Sequence, residues 1–259
     1  MSHKSGKPRL LLVHPGLGVN TAYGFESDEE SIGHPPLNHL ALASYAVRFG
    51  VEVRIADLTM ESDIANALEN WLKTFKPHVV GFGSTTPTLA MITELAALCH
   101  TNGAKVVVGG PGALFEADLL LVDPNIDAVI FGEGEIPLTQ LMHAWHRGED
   151  VGKIGGIQTD IYRPAKPQTR FPSLDETPPL DFRLIDMQPY VDAEAISLVT
   201  SRGCPHNCLF CSCQRIWFNK VTVYSIPRLM NMLDDIVYRF KYDGRLVTFL
   251  DDTFTFDKS

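Results

Sequence analysis

The sequence lacks any apolar run near the ~20 residues that a membrane-spanning helix needs. Its polar start, Met1 to Arg9, leads into a strand-like segment rather than into the hydrophobic region of a signal peptide. A basic stripe is also missing, since 22 Lys and Arg stand against 31 Asp and Glu, for a net charge of -9. We therefore expect a cytoplasmic protein with no membrane span and no nucleic-acid partner.

Cysteine is scarce and unevenly placed. The count of five is odd, which fits a reducing compartment better than a disulfide framework. Cys99 stands alone in an apolar helical segment and is expected in the core. The other four, Cys204, Cys208, Cys211 and Cys213, fall within ten residues of one another. This crowding predicts a metal or cluster site.

The first 148 residues alternate between apolar runs of strand length and periodic segments of helix length. This alternation is typical of a parallel sheet covered by helices on both faces. We predict a flavodoxin-like, doubly wound α/β domain with a five-stranded parallel sheet. The predicted strands are Arg9 to His14, Val51 to Asp57, Val79 to Gly83, Lys105 to Val108 and Ala128 to Phe131. The predicted helices are Leu37 to Phe49, Ser62 to Phe75, Pro87 to Asn102, Ala113 to Val122 and Pro137 to Arg147. Gly50, Gly103 and Gly148 follow three of these helices, where a left-handed residue closes the last turn.

The pattern changes between residues 149 and 195, where six prolines predict an extended linker and Lys153 to Arg163 a possible hairpin. A second domain is predicted over residues 196–259. It starts with a strand from Ile196 to Thr200, continues with an amphipathic helix from Ser225 to Tyr242 that Ser225 caps, and ends with a strand from Arg245 to Leu250.

The loops that follow the first-domain strands are the expected place for a ligand, because doubly wound sheets bind ligands at the carboxyl ends of their strands. The first loop, Pro15 to Pro36, is unusually long, which indicates that it borders a ligand. Glycines in the third, fourth and fifth loops allow a large group to approach the backbone, although each loop alone also fits a tight turn. The hydroxyls of Ser84 to Thr88 favour a ligand with a polar tail that enters the sheet edge.

The most specific pattern is the spacing of Cys204, Cys208 and Cys211, with three and then two residues between them. Three thiolates in one short loop can hold three irons of a cubane cluster and leave the fourth iron open to a small molecule. The alternative is a structural zinc with Cys213 or His206 as its fourth ligand, but zinc modules usually pair two short knuckles at a distance.

Together these motifs resemble a known family. A strand, then Ser201-Arg202-Gly203-Cys204, the cysteine spacing, and Phe210 before the third cysteine resemble the radical S-adenosylmethionine (SAM) enzymes. The preceding domain resembles the cobalamin-binding domain of one branch of that superfamily, which includes cobalamin-dependent methylases and the anaerobic cyclase of chlorophyll biosynthesis. The matching stretches are Pro35 to Leu37, Val79 to Thr88, Val106 to Gly112, Gly132 to Glu135 and Thr200 to Cys211.

The resemblance implies cofactors and site residues. A 4Fe-4S cluster is expected on Cys204, Cys208 and Cys211, and SAM on its unique iron with Phe210 near the adenine. Asp251 and Asp252 are expected at the SAM amino group, with a solvated turn or a helix cap as the alternative role. For cobalamin, the resemblance implies that Ser84, Thr85 and Thr86 meet the nucleotide tail and that the backbones of Gly109, Gly110, Gly132 and Glu133 line its path.

One motif is absent. No Asp is followed two positions later by His, so the Asp-x-His-x-x-Gly pattern that supplies an axial histidine in cobalamin mutases does not occur. We therefore expect cobalamin without a protein histidine on its cobalt. His14 and His34, at the two ends of the long first loop, are expected to be ordinary loop residues.

The activity that the resemblance implies is reductive cleavage of SAM to a 5'-deoxyadenosyl radical, for methyl transfer or a related radical reaction. It implies a small-molecule substrate and a reductant such as flavodoxin or ferredoxin. A six-unit barrel needs on the order of 180 residues, whereas only 64 follow Ala195. We therefore expect a fragment, a truncated product or half of a split enzyme, with an incomplete catalytic domain on this chain. The alternatives are a cobalamin carrier or sensor and a zinc-stapled interaction protein.

Overall fold

The computed structural model describes residues 6–16, 33–162, 164–166, 168, 170–242 and 246–256. A six-stranded sheet forms its centre, with helices on both faces. The strands are β1 (Arg9–His14), β2 (Glu52–Asp57), β3 (Val79–Gly83), β4 (Lys105–Gly109), β5 (Ala128–Ile130) and β6 (Ile157–Gln158). The helices are α1 (Leu37–Arg48), α2 (Ile64–Phe75), α3 (Leu89–Thr101), α4 (Pro111–Val122) and α5 (Glu135–Arg147).

The strand order is β2-β1-β3-β4-β5-β6, and β1 to β5 are parallel. The first five strands therefore have the predicted flavodoxin-like order. The prediction of only five, all parallel, strands was wrong, because β6 pairs antiparallel with β5. Within the segment from Lys153 to Arg163, Ile157–Gln158 satisfies the open edge of β5, and the hairpin there stays a prediction. A two-residue strand is too short to leave a periodic pattern in the sequence.

Alternate side chains of each parallel strand enter two separate cores. Leu10 and Leu12 of β1 belong to the core on the α1 and α5 face, whereas Leu11 and Val13 belong to the core on the α2, α3 and α4 face. Successive side chains of a strand point to opposite faces, so a continuous apolar run is required where both faces are covered.

The helices end where the glycines predict. Gly50, Gly103 and Gly148 follow α1, α3 and α5 with φ of 86°, 80° and 70°, which confirms their role as left-handed stop residues. At the start of α2, Asp63 accepts a hydrogen bond of 3.0 Å from the backbone N–H of Asn66. No helix in the described part of the chain is long and apolar enough to cross a bilayer.

The segment that follows α5 packs on the α1 face of the sheet. Its apolar residues Leu174, Phe182, Met187 and Tyr190 are buried in the same cluster as Leu40 of α1. A short helix, α6 (Gln188–Asp192), carries Tyr190. The division of the chain into two domains and a linker stays a prediction.

The remaining elements form two small sheets. They are β7 (Ser197–Leu198), β8 (Ser201–Arg202), α7 (Cys213–Trp217), β9 (Thr222–Val223), α8 (Ile226–Phe240) and β10 (Thr248–Phe249). β10 pairs parallel with β7, and β8 pairs antiparallel with β9. Ser225 caps α8, as predicted, by accepting a hydrogen bond from Arg228. Because the described strands pair only two by two here, the start of a barrel stays a proposal.

Tyr190 ties the segment after α5 to the sheet. Its ring is buried, and its hydroxyl donates a hydrogen bond to Oδ2 of Asp57 at the end of β2. Burial and the adjoining Asp57 carboxylate raise the pKa of Tyr190. The other oxygen of Asp57 accepts a 2.6 Å hydrogen bond from the Thr59 hydroxyl.

We expect Tyr190→Phe to lower the free energy of unfolding by about 1–2 kcal/mol, because Oδ2 of Asp57 loses its donor in a partly buried site. Urea unfolding measures the change. Tyr162→Phe is the matched control, since that side chain is 84% exposed and should leave stability unchanged. Equal stability of the two variants would contradict this role for the hydroxyl.

A buried histidine lies where α1 crosses the ends of β1 and β3. His39 is 1% exposed, and its Nε2 is 3.0 Å from the carbonyl oxygen of Val13. A Cβ added to Gly83 would lie 3.0 Å from Cε1 of His39, so glycine makes room for the ring. Burial lowers the pKa of His39 to about 3, and the nearby His14 contributes in the same direction.

This low pKa predicts a pH dependence of stability. The unfolded chain protonates His39 near the ordinary histidine pKa of 6.5, whereas the folded chain keeps it neutral until about 3. Stability is therefore complete above pH 6.5 and falls toward pH 3, by about 1.4 kcal/mol per pH unit from this group. We expect His39→Gln to lose this part of the slope in denaturant titrations, while His100→Gln, at an exposed position, keeps it. Identical slopes in the two variants would contradict the assignment.

Candidate functional site

Two cavities open at the carboxyl edge of the sheet. The smaller, of about 220 Å³, lies between the ends of β1 and β3, where the strand order reverses. We call it the switch-point crevice. Its walls include His14, His39, Ser84, Thr85 and Gly110. A reversal of strand order leaves a crevice between two loops that turn in opposite directions, which is where doubly wound sheets bind their ligands.

The larger cavity, of about 360 Å³, lies between the sheet edge and the segment that carries β8, α7 and β9. We call it the interface cavity. Its sheet side includes Leu42, Gly109, Gly132 and Glu133, and its other side includes Val199, Arg202, Trp217, Tyr224 and Asp252. Apolar walls with a few convergent charged groups are typical of small-molecule sites.

Ser84 joins the loops that follow β3 and β4. Its side chain is 2% exposed, and its hydroxyl donates to the carbonyl of Gly109 and accepts from the backbone N–H of Ala113, both at 2.8 Å. The hydroxyl is therefore used within the protein, at the start of α4. Thr85 and Thr86 are exposed beside it.

Two of the loop glycines have a packing role. A Cβ at Gly110, where φ is 93°, would lie 2.7 Å from the carbonyl oxygen of Ser84. A Cβ at Gly112 would lie 2.8 Å from the backbone of Thr85. Glycine at these two positions lets the loops after β3 and β4 pack against each other, and this packing requires glycine even without a ligand.

Two histidines form one wall of the crevice. The rings of His14 and His39 are 5.3 Å apart and meet edge to face. Burial lowers the pKa of His14, and the attraction of Asp57 only partly offsets it, so both rings are neutral near pH 7. His34 lies apart from this pair, with its Nδ1 3.2 Å from Oγ of Ser197. Nothing in the sequence pattern singles out His39, because it lies within the apolar face of α1.

The long first loop was predicted to border a ligand. Its residues 17–32 lie outside the described residues, so this role stays a prediction. Its described start lies at the crevice, where Pro15 and Gly16 line one side, and α1, which follows the loop, contributes Asn38 and His39.

A buried cluster of charges crosses the interface cavity. Glu133, in the loop after β5, and Glu135, the first residue of α5, have side chains only 2% and 3% exposed. Arg202 of β8 places Nη2 2.6 Å from Oε1 of Glu135 and Nη1 3.6 Å from Oε1 of Glu133. Burial lowers the pKa of Arg202, but the attraction of Glu135 and its neighbours outweighs burial, so the pKa is raised and Arg202 stays charged.

Arg170 completes this cluster from the segment after α5. Its Nε is 3.5 Å from Oε2 of Glu133, and its Nη1 donates a 2.6 Å hydrogen bond to the carbonyl of Trp217. Two cations thus balance two carboxylates in a site that is nearly closed to solvent. Isolated charges there would be costly, so the pairing fixes how the sheet faces β8 and α7.

The cysteine loop follows Arg202, which lines the interface cavity, and its thiols are free. The hydroxyl of Thr253 donates a 2.8 Å hydrogen bond to Sγ of Cys204. Asp252 accepts hydrogen bonds from the backbone N–H of Gly203 and from the thiol of Cys213. Burial and the Asp252 carboxylate raise the pKa of Cys213, so this fourth thiol stays protonated. Among the residues that the structure describes, no three His, Cys, Asp or Glu side chains converge in a metal-binding arrangement.

The cavities bring together only part of the predicted site. Gly109, Gly110, Gly132, Glu133 and Asp252 line the interface cavity, and Ser84, Thr85 and Gly110 line the crevice. Of the described residues, Thr86, Phe210, Asp251 and the three cysteines line neither, and Phe210 is 94% exposed.

Asp251 has a structural role that the sequence leaves open. Its Oδ1 accepts hydrogen bonds from the backbone N–H and the hydroxyl of Thr200, at 3.2 and 2.7 Å, and from those of Ser201, both at 2.5 Å. The carboxylate therefore fixes the turn between β7 and β8, to which β10 is joined. Its role toward SAM stays a prediction.

Comparison with known proteins identifies a family match and several similar proteins. Residues 32–142 match the B12 binding domain family. An uncharacterized methyltransferase of Pyrococcus horikoshii is 32% identical over 86% of this chain and 50% of its own length. The hopanoid C-3 methylase of Methylococcus capsulatus is 30% identical over 76% of the chain and 39% of its own length. The chain spans about half the length of such relatives, or less.

Solved structures share the fold. The radical SAM methyltransferase TsrM from Kitasatospora setae superimposes with a TM-score of 0.76 at 18% identity, over 95% of this chain and 48% of that one. The cobalamin-dependent SAM radical enzyme OxsB also gives a TM-score of 0.76 at 18% identity, over 96% of this chain and 34% of that one. The chain therefore contains a B12 binding domain and is similar to an uncharacterized methyltransferase and to an anaerobic magnesium-protoporphyrin IX monomethyl ester cyclase, of which it spans about half or less.

Proposed function

We propose that this chain supplies the cobalamin-binding domain and the cluster-binding start of a radical SAM enzyme that carries out methyl transfer or a related radical reaction. The observation that carries the proposal is that one cavity separates the carboxyl edge of the B12 binding domain from the segment that holds the cysteine loop. Relatives named as methyltransferases and methylases support the reaction class.

The donor set of the cysteine loop fits an iron-sulfur cluster. Cys204, Cys208 and Cys211 are free thiols on one loop, and soft thiolates are the ligands that such clusters use. The three do not converge in this structure, but residues 205–210 between them are all exposed. Rearrangement of the loop around a cluster therefore breaks little packing. The 2.8 Å hydrogen bond from Thr253 can also tune a thiolate at Cys204.

The switch-point crevice fits the tail of a cobalamin. Its two histidines are neutral, and Thr85 leaves its side chain exposed at the mouth. Beside it, Gly109 and Gly132 present backbone toward the interface cavity, where the corrin ring of a cobalamin would lie. His39 also lines the interface cavity, but neither histidine of the crevice has the Asp-x-His-x-x-Gly context of a cobalt ligand.

When bound, the cluster supplies an electron for the cleavage of SAM, and cobalamin supplies a carrier for a methyl group. The chain's own residues would bind and orient these groups. Asp252 places a carboxylate on the interface cavity, where it can accept hydrogen bonds from the ammonium group of SAM. The apolar walls, among them Leu42, Val199 and Trp217, exclude water from the space where a radical would form.

Anaerobic reconstitution with iron and sulfide tests the cluster. We expect about four irons per chain in the wild type, and loss of at least half of that iron in Cys204→Ala, Cys208→Ala and Cys211→Ala. Cys99→Ala is the matched control, since this thiol is buried in the helical core and should not change the iron content. Cys213→Ala should also retain iron, because Cys213 is not among the proposed ligands.

Other results would favour the alternatives. Zinc without iron, with loss of metal in Cys213→Ala or His206→Ala, would replace the cluster by a structural zinc. Iron that does not depend on the three cysteines would refute the ligand assignment. Cobalamin binding without uptake of iron and without release of 5'-deoxyadenosine would leave a cobalamin carrier or sensor.

A further inference from the structure

Arg202 connects the two proposed cofactor sites through one side chain. Its backbone lies in β8, two residues before Cys204, and its guanidinium reaches Glu135 of α5 and Glu133 in the loop after β5. The backbone of Gly132 and Glu133 lines the interface cavity from the other side. One buried arginine, paired with two carboxylates, therefore separates the cysteine loop from the backbone proposed to meet cobalamin.

On the side of the cysteine loop, contacts of the backbone at Gly203 restrict the position of Arg202. Gly203 has φ of 100°, and a Cβ there would collide with the carbonyl oxygen of Lys220. Its backbone N–H donates a 3.0 Å hydrogen bond to Asp252, while Thr253 bonds to Cys204. Arg202 consequently cannot shift toward the sheet without moving the start of the cysteine loop.

On the side of the sheet, the contact of Arg202 with Glu135 is close, at 2.6 Å, whereas its contact with Glu133 is open, at 3.6 Å. Oε1 of Glu133 is buried without a hydrogen-bond partner among the described residues, and its nearest paired cation is Nη1 of Arg202 at 3.6 Å. A modest displacement of this loop would close that gap to hydrogen-bonding distance. Contact between a ligand and the backbone of residues 132–133 would therefore change the strength of the ion pair with Arg202.

We propose that Arg202 is a positioning residue that couples the two sites, so that cobalamin binds more tightly when the cluster is in place. The inference rests on the proposed function, because it requires both cofactors. By linkage the effect is reciprocal: whatever the cluster adds to cobalamin affinity, cobalamin adds to cluster affinity. A purely structural ion pair would change both cobalamin affinities by the same factor and leave their ratio unchanged.

The measurement is the dissociation constant of hydroxocobalamin, by anaerobic titration, for the full chain with and without reconstituted cluster. We expect the wild-type chain to bind cobalamin about fivefold or more tightly when the cluster is present. In Arg202→Met the ratio of the two constants should fall to near one, and Arg202→Lys should restore part of it, since a lysine keeps the charge but loses the forked contact.

Two further variants control the experiment. Glu135→Gln keeps the shape of the partner but removes its charge, and it should reduce the ratio even if Arg202→Met fails to fold. Arg239→Met breaks an exposed ion pair with Asp235 on α8 and should leave the ratio unchanged. Circular dichroism and thermal unfolding establish which variants are folded.

The outcomes separate the inference from the proposed function. A ratio near one in a wild-type chain that binds both cofactors overturns the coupling and leaves the proposed function standing. A wild-type ratio that survives in Arg202→Met or Glu135→Gln overturns the role of Arg202. A wild-type chain that takes up neither iron nor cobalamin overturns the proposed function itself.

Discussion

The ion pair between Arg202 and Glu135 is the interaction on which the arrangement of the site depends. It joins Nη2 of Arg202, in β8, to Oε1 of Glu135, at the start of α5 and the carboxyl edge of the sheet, at 2.6 Å. Since the carboxylates of Glu133 and Glu135 are buried, their charge has to be met by cations, which Arg202 of β8 and Arg170 of the segment after α5 provide. The need to neutralise buried charge thus specifies which edge of the sheet the cysteine loop faces.

The fold of the B12 binding domain follows from local rules. Each parallel strand is buried on both faces, and β1 and β3 begin and end as predicted. Three of the five helices, α1, α3 and α5, end at a glycine that the sequence shows. The positions of β6 and of the segment after α5 depend on contacts between residues far apart in the chain, such as Tyr190 with Asp57. Local patterns contain no record of such contacts, which is why the sixth strand could not be predicted.

The candidate site likewise contains some residues that local sequence patterns reveal and others that they do not. The cysteine spacing and the glycine loops were visible because they are short and local. The role of Glu135 was not, since its partner is distant in sequence, and neither was that of His39, whose surroundings in α1 are apolar. Ser84 belongs to the predicted hydroxyl-rich loop, but its hydroxyl forms hydrogen bonds with the backbone of Gly109 and Ala113. The exposed hydroxyls of its neighbours are therefore better placed to contact a ligand.

The central claim is that the B12 binding domain and the cysteine loop serve one shared cavity. Electron paramagnetic resonance of the chain loaded with both cofactors tests it, because cob(II)alamin and a reduced 4Fe-4S cluster each carry an unpaired electron. If the two sites face one cavity, the cob(II)alamin signal will broaden or split when the cluster is reduced. Two unperturbed signals that simply add, from a chain that contains both cofactors, would contradict the account.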